Sequence, residues 1–551
     1  MAPRRFYRRH VLVALVAITV FALFLRYVSL GWRVFHWDEA RVGYWTLRYL
    51  ETGVWEYRAI VHGPLLFHVN EILFGFVGKS DTIARAIVAT VGGLLPLSAW
   101  LFRSKLRDVE VLVVGLFLAL NPVMLYYSRF MRNDVLVAGF SLLVVGFAVR
   151  LLETKRYRYL YAGVLALGLA FGTKEIALVY LGIWGGALLL LLDHRLFVAR
   201  ERGSSWWQTA QAVGLRIYRA LKKHRRALGF GGIEFLVVIV LLYAPRPDLY
   251  QAFDDPTKIP GVLEAATISS AEKLVDLWIQ GGHEHSYIAY LTDALETTAA
   301  ASLLLVGFAL LGFLYDRYTG EEPRDLVSFS FYWGATVFLL YPAITDISAP
   351  WSLVHAIVPL TIPAAVGLRI VLEHGFTAWE TEDRVGTAIT VLLLLAVVGQ
   401  MGFVGAQTSF LSPQSGDNSL VQYGQPAGHL QGTIADIEAL AQDNGGTDIL
   451  FYGDHFAVPD ESVADQYPAN SNWLNRLPLA WYFERSDATT DSATTPDGIT
   501  DEPPVVISRV EHYSELNAQL EGYEARTYEI TSSGTETIVF LDKTALNNTQ
   551  T

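Results

Sequence analysis

Long apolar runs, repeated from near the start of the chain to about residue 404, constrain this sequence more than any other feature. The first, residues 11–30, is almost wholly apolar and, at about 20 residues, is long enough to cross a hydrocarbon core of roughly 30 Å. Others occupy 84–102, 109–126, 135–152, 160–171, 176–192, 227–243, 297–315, 326–341, 353–372 and 388–404. Some 11–12 such spans describe a polytopic α-helical membrane protein, because helices are the segments that satisfy their own backbone in lipid. The run 65–78 is shorter and carries His68, Asn70 and Glu71, which are costly at a bilayer centre. It reads as a helix lying at the interface.

Charge fixes the expected orientation. Arg4, Arg5, Arg8 and Arg9 precede a first run too long for a signal peptide and followed by no small-residue cleavage site, so the first helix is retained with its basic end in the cytoplasm. With 65–78 left out of the count, three basic clusters fall on one side: 103–107, 155–158, and the loop from His194 to Arg226. That is the positive-inside pattern. The same parity puts outside Asp38-Glu39, His62-Gly63-Pro64, the stretch Ser128-Arg129-Phe130-Met131-Arg132-Asn133-Asp134, Lys174-Glu175, the loop 245–296 with His283-Glu284-His285, and Asp346 near Pro350-Trp351.

The segment 405–551 is a different kind of polypeptide. It holds 22 acidic and 5 basic residues, so the overall charge of −12 hides a mildly basic membrane part. An acidic, water-facing tail suits a high-salt medium or plain solubility. Helices are expected at 434–440 and 513–520, strands at 448–452, 505–508 and 535–541, and a flexible insertion at 486–504. Together these describe a small extracytoplasmic α/β domain following a membrane domain of 1–404 with outer loops 31–83 and 245–296. One sequon, Asn547-Asn548-Thr549, is compatible with that side. The absence of cysteine excludes disulfides, zinc–thiolate sites and cysteine nucleophiles.

Several outer residues could carry chemistry, and each has a plain alternative. Asp38 and Glu39 are either solvated loop charges or a pair suited to taking a proton from a hydroxyl as it attacks. Arg129 and Arg132 stand where basic residues are disfavoured; they either anchor the interface or hold phosphate through paired guanidinium bonds. Lys174 either pairs with Glu175 or meets phosphate. His283-Glu284-His285 is by default a solvated loop and otherwise a metal site. Trp351 reads as an interfacial belt residue, with His355 just behind it. No Walker or dinucleotide-binding glycine pattern is present, so an outward-facing transferase would need an activated, membrane-borne donor. No nucleic-acid partner is expected.

This order of a span, Asp38-Glu39, His62-Gly63-Pro64-Leu65-Leu66 and Ser128 to Asp134 resembles the GT-C glycosyltransferases. More closely, it is similar to the dolichyl-phosphate-mannose protein mannosyltransferase and lipid-A aminoarabinose transferase branch. With Tyr423-Gly424-Gln425-Pro426 after the last span, it also resembles archaeal flippase-associated proteins of N-glycosylation. The resemblance implies a polyprenyl- or dolichyl-phosphate sugar donor and an acceptor glycan, lipid or protein at the outer face of the cell membrane. It implies Asp38 as catalytic acid residue with Glu39 beside it, and Asp134 as its counterpart in the second outer loop. Glu39 and Asp134 would orient substrate or a divalent cation such as Mg or Mn. Where the family commonly has a lysine in a Lys-Pro-Pro-Leu-like segment, this chain has His62-Gly63-Pro64-Leu65; His62, Arg129, Arg132 and Lys174 are the candidates to replace it, and Glu175 and His355 complete the expected substrate- and phosphate-binding set. A non-catalytic helper of lipid-linked oligosaccharide flipping is the alternative function.

Overall fold

A computed structural model describes residues 8–549 apart from 60–61, 202, 204, 281–284, 320–322, 346, 443–444, 467, 501 and 532–535. His283, Glu284, Asp346, Arg4 and Arg5 therefore lie outside the described residues. Among those described, eight helices are long and apolar enough to cross a membrane, and nine if Tyr287–Ala301 and Leu303–Tyr318, bent by 97°, count as one span. This is a multi-pass membrane protein.

The expectation of eleven or twelve continuous spans is corrected at two places. The run 109–126 is broken: the helix Asp108–Leu120 stops at Asn121, whose side chain accepts from the Val123 and Met124 N–H groups and starts the short helix Pro122–Tyr127. Pro122 has no N–H with which to continue the first helix, and Asn is a favoured cap. The run 160–171 forms Tyr157–Phe171, 15 residues, or about 22 Å at the α-helical rise. The segment 65–78 folds as Leu65–Val77, 13 residues.

The chain divides into two compact units, one of 1–28, 55–66 and 86–411, the other of 29–54, 67–85 and 412–551. The division falls near 411 rather than 404, and most of the first outer loop belongs with the tail.

In the first unit the helix Leu353–Glu380 is the core element, with nearly all its apolar length buried. Its approach to Leu303–Tyr318 is backbone to backbone: a Cβ on Gly312 would meet the Pro363 carbonyl oxygen at 2.0 Å, and one on Gly367 the Phe308 carbonyl oxygen at 2.1 Å. Small residues permit such contact where lipid supplies no hydrophobic drive. Two sets of buried charged side chains in this unit meet partners across helices. Arg26 is buried and donates to the Leu118 and Ala119 carbonyls at the end of Asp108–Leu120. At the opposite end of that helix, buried Glu110 receives Arg369 Nε at 2.9 Å and Arg324 Nη1 at 2.8 Å.

The second unit contains a five-stranded sheet: β1 Ile449–Tyr452, β2 Thr490–Ala493, β3 Val505–Arg509, β4 Tyr523–Glu529 and β5 Glu536–Asp542, in the order β2-β1-β3-β5-β4. β1 runs parallel to β2 and β3, and β5 antiparallel to β3 and β4. The helices Leu430–Gln442 and Tyr513–Gln519 stand where helices were expected. The supposed flexible insertion 486–504 instead contains β2. Thr-Asp-Ser-Ala offers no apolar alternation, and the strand is held by its ladder to β1 and by Ser492, which receives Arg476 at 2.7 Å.

Candidate functional site

The helix Trp37–Thr52 explains the local chemistry of Asp38 and Glu39. They occupy its first turn, where carboxylates complement the helix dipole. Glu39 turns back to accept the His36 N–H at 2.9 Å, forming a capping box. Its carboxylate is fully buried and meets Arg85 Nε at 2.9 Å and Arg33 Nη2 at 2.7 Å. Burial pushes this carboxyl up, but the Arg33 and Arg85 guanidiniums, with the Arg85 and His36 hydrogen bonds, overcome that and hold it well below the usual carboxylate range. Asp38 differs. It is partly exposed, with Arg41 Nη2 at 3.3 Å, and Arg41 in turn lies 4.7 Å over the Trp37 ring. The pair thus splits into a buried carboxylate bound by arginines and a more accessible one.

In the first unit, three of the residues singled out in the sequence converge on the carboxylate of a fourth. Asp134, at the first turn of Asp134–Thr154, accepts Lys174 Nζ at 2.8 Å and His355 Nε2 at 3.1 Å on Oδ1, and Arg132 Nε at 3.3 Å on Oδ2. Asp134 and His355 are buried, whereas Lys174 keeps 15% of its side chain exposed. Arg132 lies 3.9 Å over the face of Trp351, so that tryptophan is a guanidinium platform rather than only a belt residue. Behind His355, the Tyr180 hydroxyl is 2.6 Å from Nδ1. Two cationic side chains around one carboxylate leave a net positive charge, which suits an anion.

Lys174 is delivered here by a backbone contact. Gly63 N–H donates to the Thr173 carbonyl at 3.0 Å and Leu65 N–H to the Gly172 carbonyl at 2.8 Å. A Cβ on Gly63 would come within 2.5 Å of the Gly172 oxygen, so the approach requires glycine. The segment whose expected lysine is missing thus runs alongside the segment that carries Lys174. Next to it, buried Glu175 accepts the Tyr57 hydroxyl at 2.7 Å and lies 3.4 Å from His62 Nδ1. Burial raises this carboxyl, but His62, followed by the Tyr57 hydrogen bond, brings it below its ordinary value. His62 itself sits at φ 67°, a left-handed conformation uncommon for a residue with a side chain.

Arg129 is not part of this group. Its Nη1 donates to the carbonyls of Leu25, Arg26 and Val28, which end the helix Arg8–Tyr27, and its guanidinium covers Phe410 at 4.6 Å. Arg129 thus caps a helix C-terminus, donating to its end carbonyls, and stands apart from the Asp134 group. A divalent cation does not fit Glu39 or Asp134, since each presents its oxygens to cationic side chains. Among the described residues no group of three or more His, Asp or Glu is arranged to hold a metal ion.

Tyr180, Tyr57, Arg33 and Arg85 escaped the sequence reading. Arg85 had a signal, since an arginine inside an apolar run requires a partner. The tyrosines had none.

Comparison with known proteins identifies the fold. ArnT from Cupriavidus metallidurans in the apo state superposes with a TM-score of 0.56 over 96% of this chain and 98% of its own, at 15% identity. The chain has the GT-C fold. ArnT from the same organism bound to undecaprenyl phosphate gives 0.54 at 16% identity, covering 96% of this chain and 98% of that one. The archaeal oligosaccharyltransferase AglB from Archaeoglobus fulgidus, in complex with an inhibitory peptide and a dolichol-phosphate, gives 0.50 at 13%, covering 96% and 74%. Residues 61–215 match the family described as dolichyl-phosphate-mannose-protein mannosyltransferase, and residues 430–542 match the Agl23 flippase-associated protein C-terminal domain. No protein of curated function matched by sequence. This GT-C protein is thus glycosyltransferase-like in its membrane part and related to flippase-associated proteins in its tail, and the mannosyltransferase match contains Asp134, Arg132 and Lys174.

Proposed function

We propose that this protein binds a polyprenyl- or dolichyl-phosphate sugar at the outer face of the cell membrane and transfers the sugar to an acceptor hydroxyl on a glycan, lipid or protein. The observation that carries this reading is the cationic cluster of Lys174 and Arg132 fixed on buried Asp134. It is supported by the fold shared with a structure solved on undecaprenyl phosphate. The acceptor oxygen attacks the anomeric carbon, the bond from that carbon to the phosphate oxygen breaks, and the lipid phosphate leaves carrying additional negative charge. Lys174 and Arg132 stabilise that developing charge, which is worth most where water is excluded. Lys174 takes the role of the lysine absent at His62, and Asp134 keeps both cations oriented. Asp38, the more accessible of the adjacent carboxylates, is the base that receives the acceptor proton, while Glu39 holds the helix start that carries it. The N-terminus is cytoplasmic and the C-terminal domain extracytoplasmic.

The match of residues 430–542 to a flippase-associated domain favours a second reading, in which lipid phosphate is bound without sugar transfer. Incubating purified protein with a labelled dolichyl-phosphate hexose and membrane acceptor separates the two. Transfer that falls by roughly 10²-fold or more in Asp38→Asn, the usual scale of general-base catalysis, supports the transferase. Binding without transfer in the unmodified protein establishes the helper.

A further inference from the structure

Asp134 is held by more than its two cations. Rotation of an aspartate carboxylate about its last bond is soft and roughly two-fold, so an ammonium group bonded to one oxygen is only as well placed as that rotation allows. Here His355 Nε2 shares Oδ1 with Lys174, at 3.1 Å against 2.8 Å. A carboxylate between two cations is an acceptor, so His355 Nε2 carries the hydrogen and Nδ1 is left to accept from the Tyr180 hydroxyl at 2.6 Å. An imidazole ring also turns easily about its last bond, and this second bond fixes it. The chain from Tyr180 through His355 to Asp134 lies wholly within buried side chains.

A nearby residue provides an internal contrast. Tyr341 is equally buried and its ring lies 5.2 Å from the His355 ring, yet its hydroxyl has no hydrogen-bond partner among the described residues. Tyr180 and Tyr341 therefore pack against the same imidazole, and only Tyr180 directs it.

We propose that Tyr180 is a positioning residue for lipid phosphate, acting through His355 and Asp134 to fix where Lys174 presents its charge. The inference rests on the phosphate-holding role of Lys174 argued above. Removing the Tyr180 hydroxyl frees the imidazole, then the carboxylate, and the ammonium loses its aim without losing its charge.

The test is a double-mutant cycle read by the affinity of full-length protein in nanodiscs for dolichyl phosphate. Tyr180→Phe should weaken binding by roughly fivefold, the size of one ordinary hydrogen bond. In a Lys174→Gln background the same change should have no further effect, because the group it positions is gone. Tyr341→Phe should leave affinity unchanged in both backgrounds. An equal loss from Tyr180→Phe with and without Lys174, or no loss with it, would overturn the proposal. If Tyr180→Phe does not fold, the same cycle with His355→Gln decides it by the same criterion. Unmodified protein that fails to bind dolichyl phosphate would instead overturn the proposed function itself.

Discussion

Lys174 and Arg129 show how far residue type alone misleads. Both are cations at the expected outer ends of helices, yet one points its ammonium at a buried carboxylate and the other is consumed by helix-end carbonyls. Lys174→Gln and Arg132→Gln should each weaken polyprenyl phosphate binding and also lower thermal stability, because each removes a cation from buried Asp134. Arg129→Gln should differ, lowering the unfolding temperature with little direct effect on binding, since it strands carbonyls at the end of Arg8–Tyr27. Glu39 and Asp38 divide in the same way. Glu39→Gln leaves two guanidiniums against a neutral group and should cost about 3–5 kcal/mol of stability, the range found when one partner of a buried ion pair is removed. The Glu39 carboxyl is depressed on folding, so its contribution is complete above the unfolded carboxyl value and is lost as pH falls through the folded one. Acid unfolding monitored by circular dichroism should therefore set in at higher pH in proteins that lack Arg33. Asp38→Asn should leave stability unaltered.

At the scale of elements, the apolar runs were legible because lipid demands them. Their interruptions were less so. Asn121-Pro122 carried a readable stop, a capping residue followed by a residue that cannot donate, and ignoring it gave one continuous span too many. The arginines within the runs were a second signal: Arg26, Arg85 and Arg369 each have a carbonyl set or a carboxylate to meet. Which partner each finds depends on helix packing, and no spacing in the sequence encodes it. β2 was missed because parallel backbone pairing, not side-chain pattern, holds Thr490–Ala493. Contacts of backbone against backbone give the sharpest element-scale prediction. Gly367→Val places carbon where the Phe308 carbonyl stands and should prevent Leu303–Tyr318 from seating on the central helix. Reduced yield of folded protein by size-exclusion chromatography would show this, whereas Gly307→Val, whose Cβ meets nothing within 4 Å, should be tolerated.

For the whole molecule, the GT-C fold and the positive-inside pattern predict that tags at 105 and 225 report cytoplasm and one at 545 reports the exterior. Of the site, the Asp134 group was readable as a set of charged residues on one expected face. Its geometry was not, because Lys174 reaches it through a pairing of 63–65 with 172–173 that rests on Gly63. The central claim is that this pairing supplies the phosphate-holding cation which the His62 segment lacks. Titration of dolichyl phosphate into nanodiscs carrying the full chain tests it most directly. Saturable binding that weakens by about tenfold or more in Lys174→Gln, the scale of a lost charge-assisted hydrogen bond, is the predicted result; equal affinity in the two proteins would contradict it.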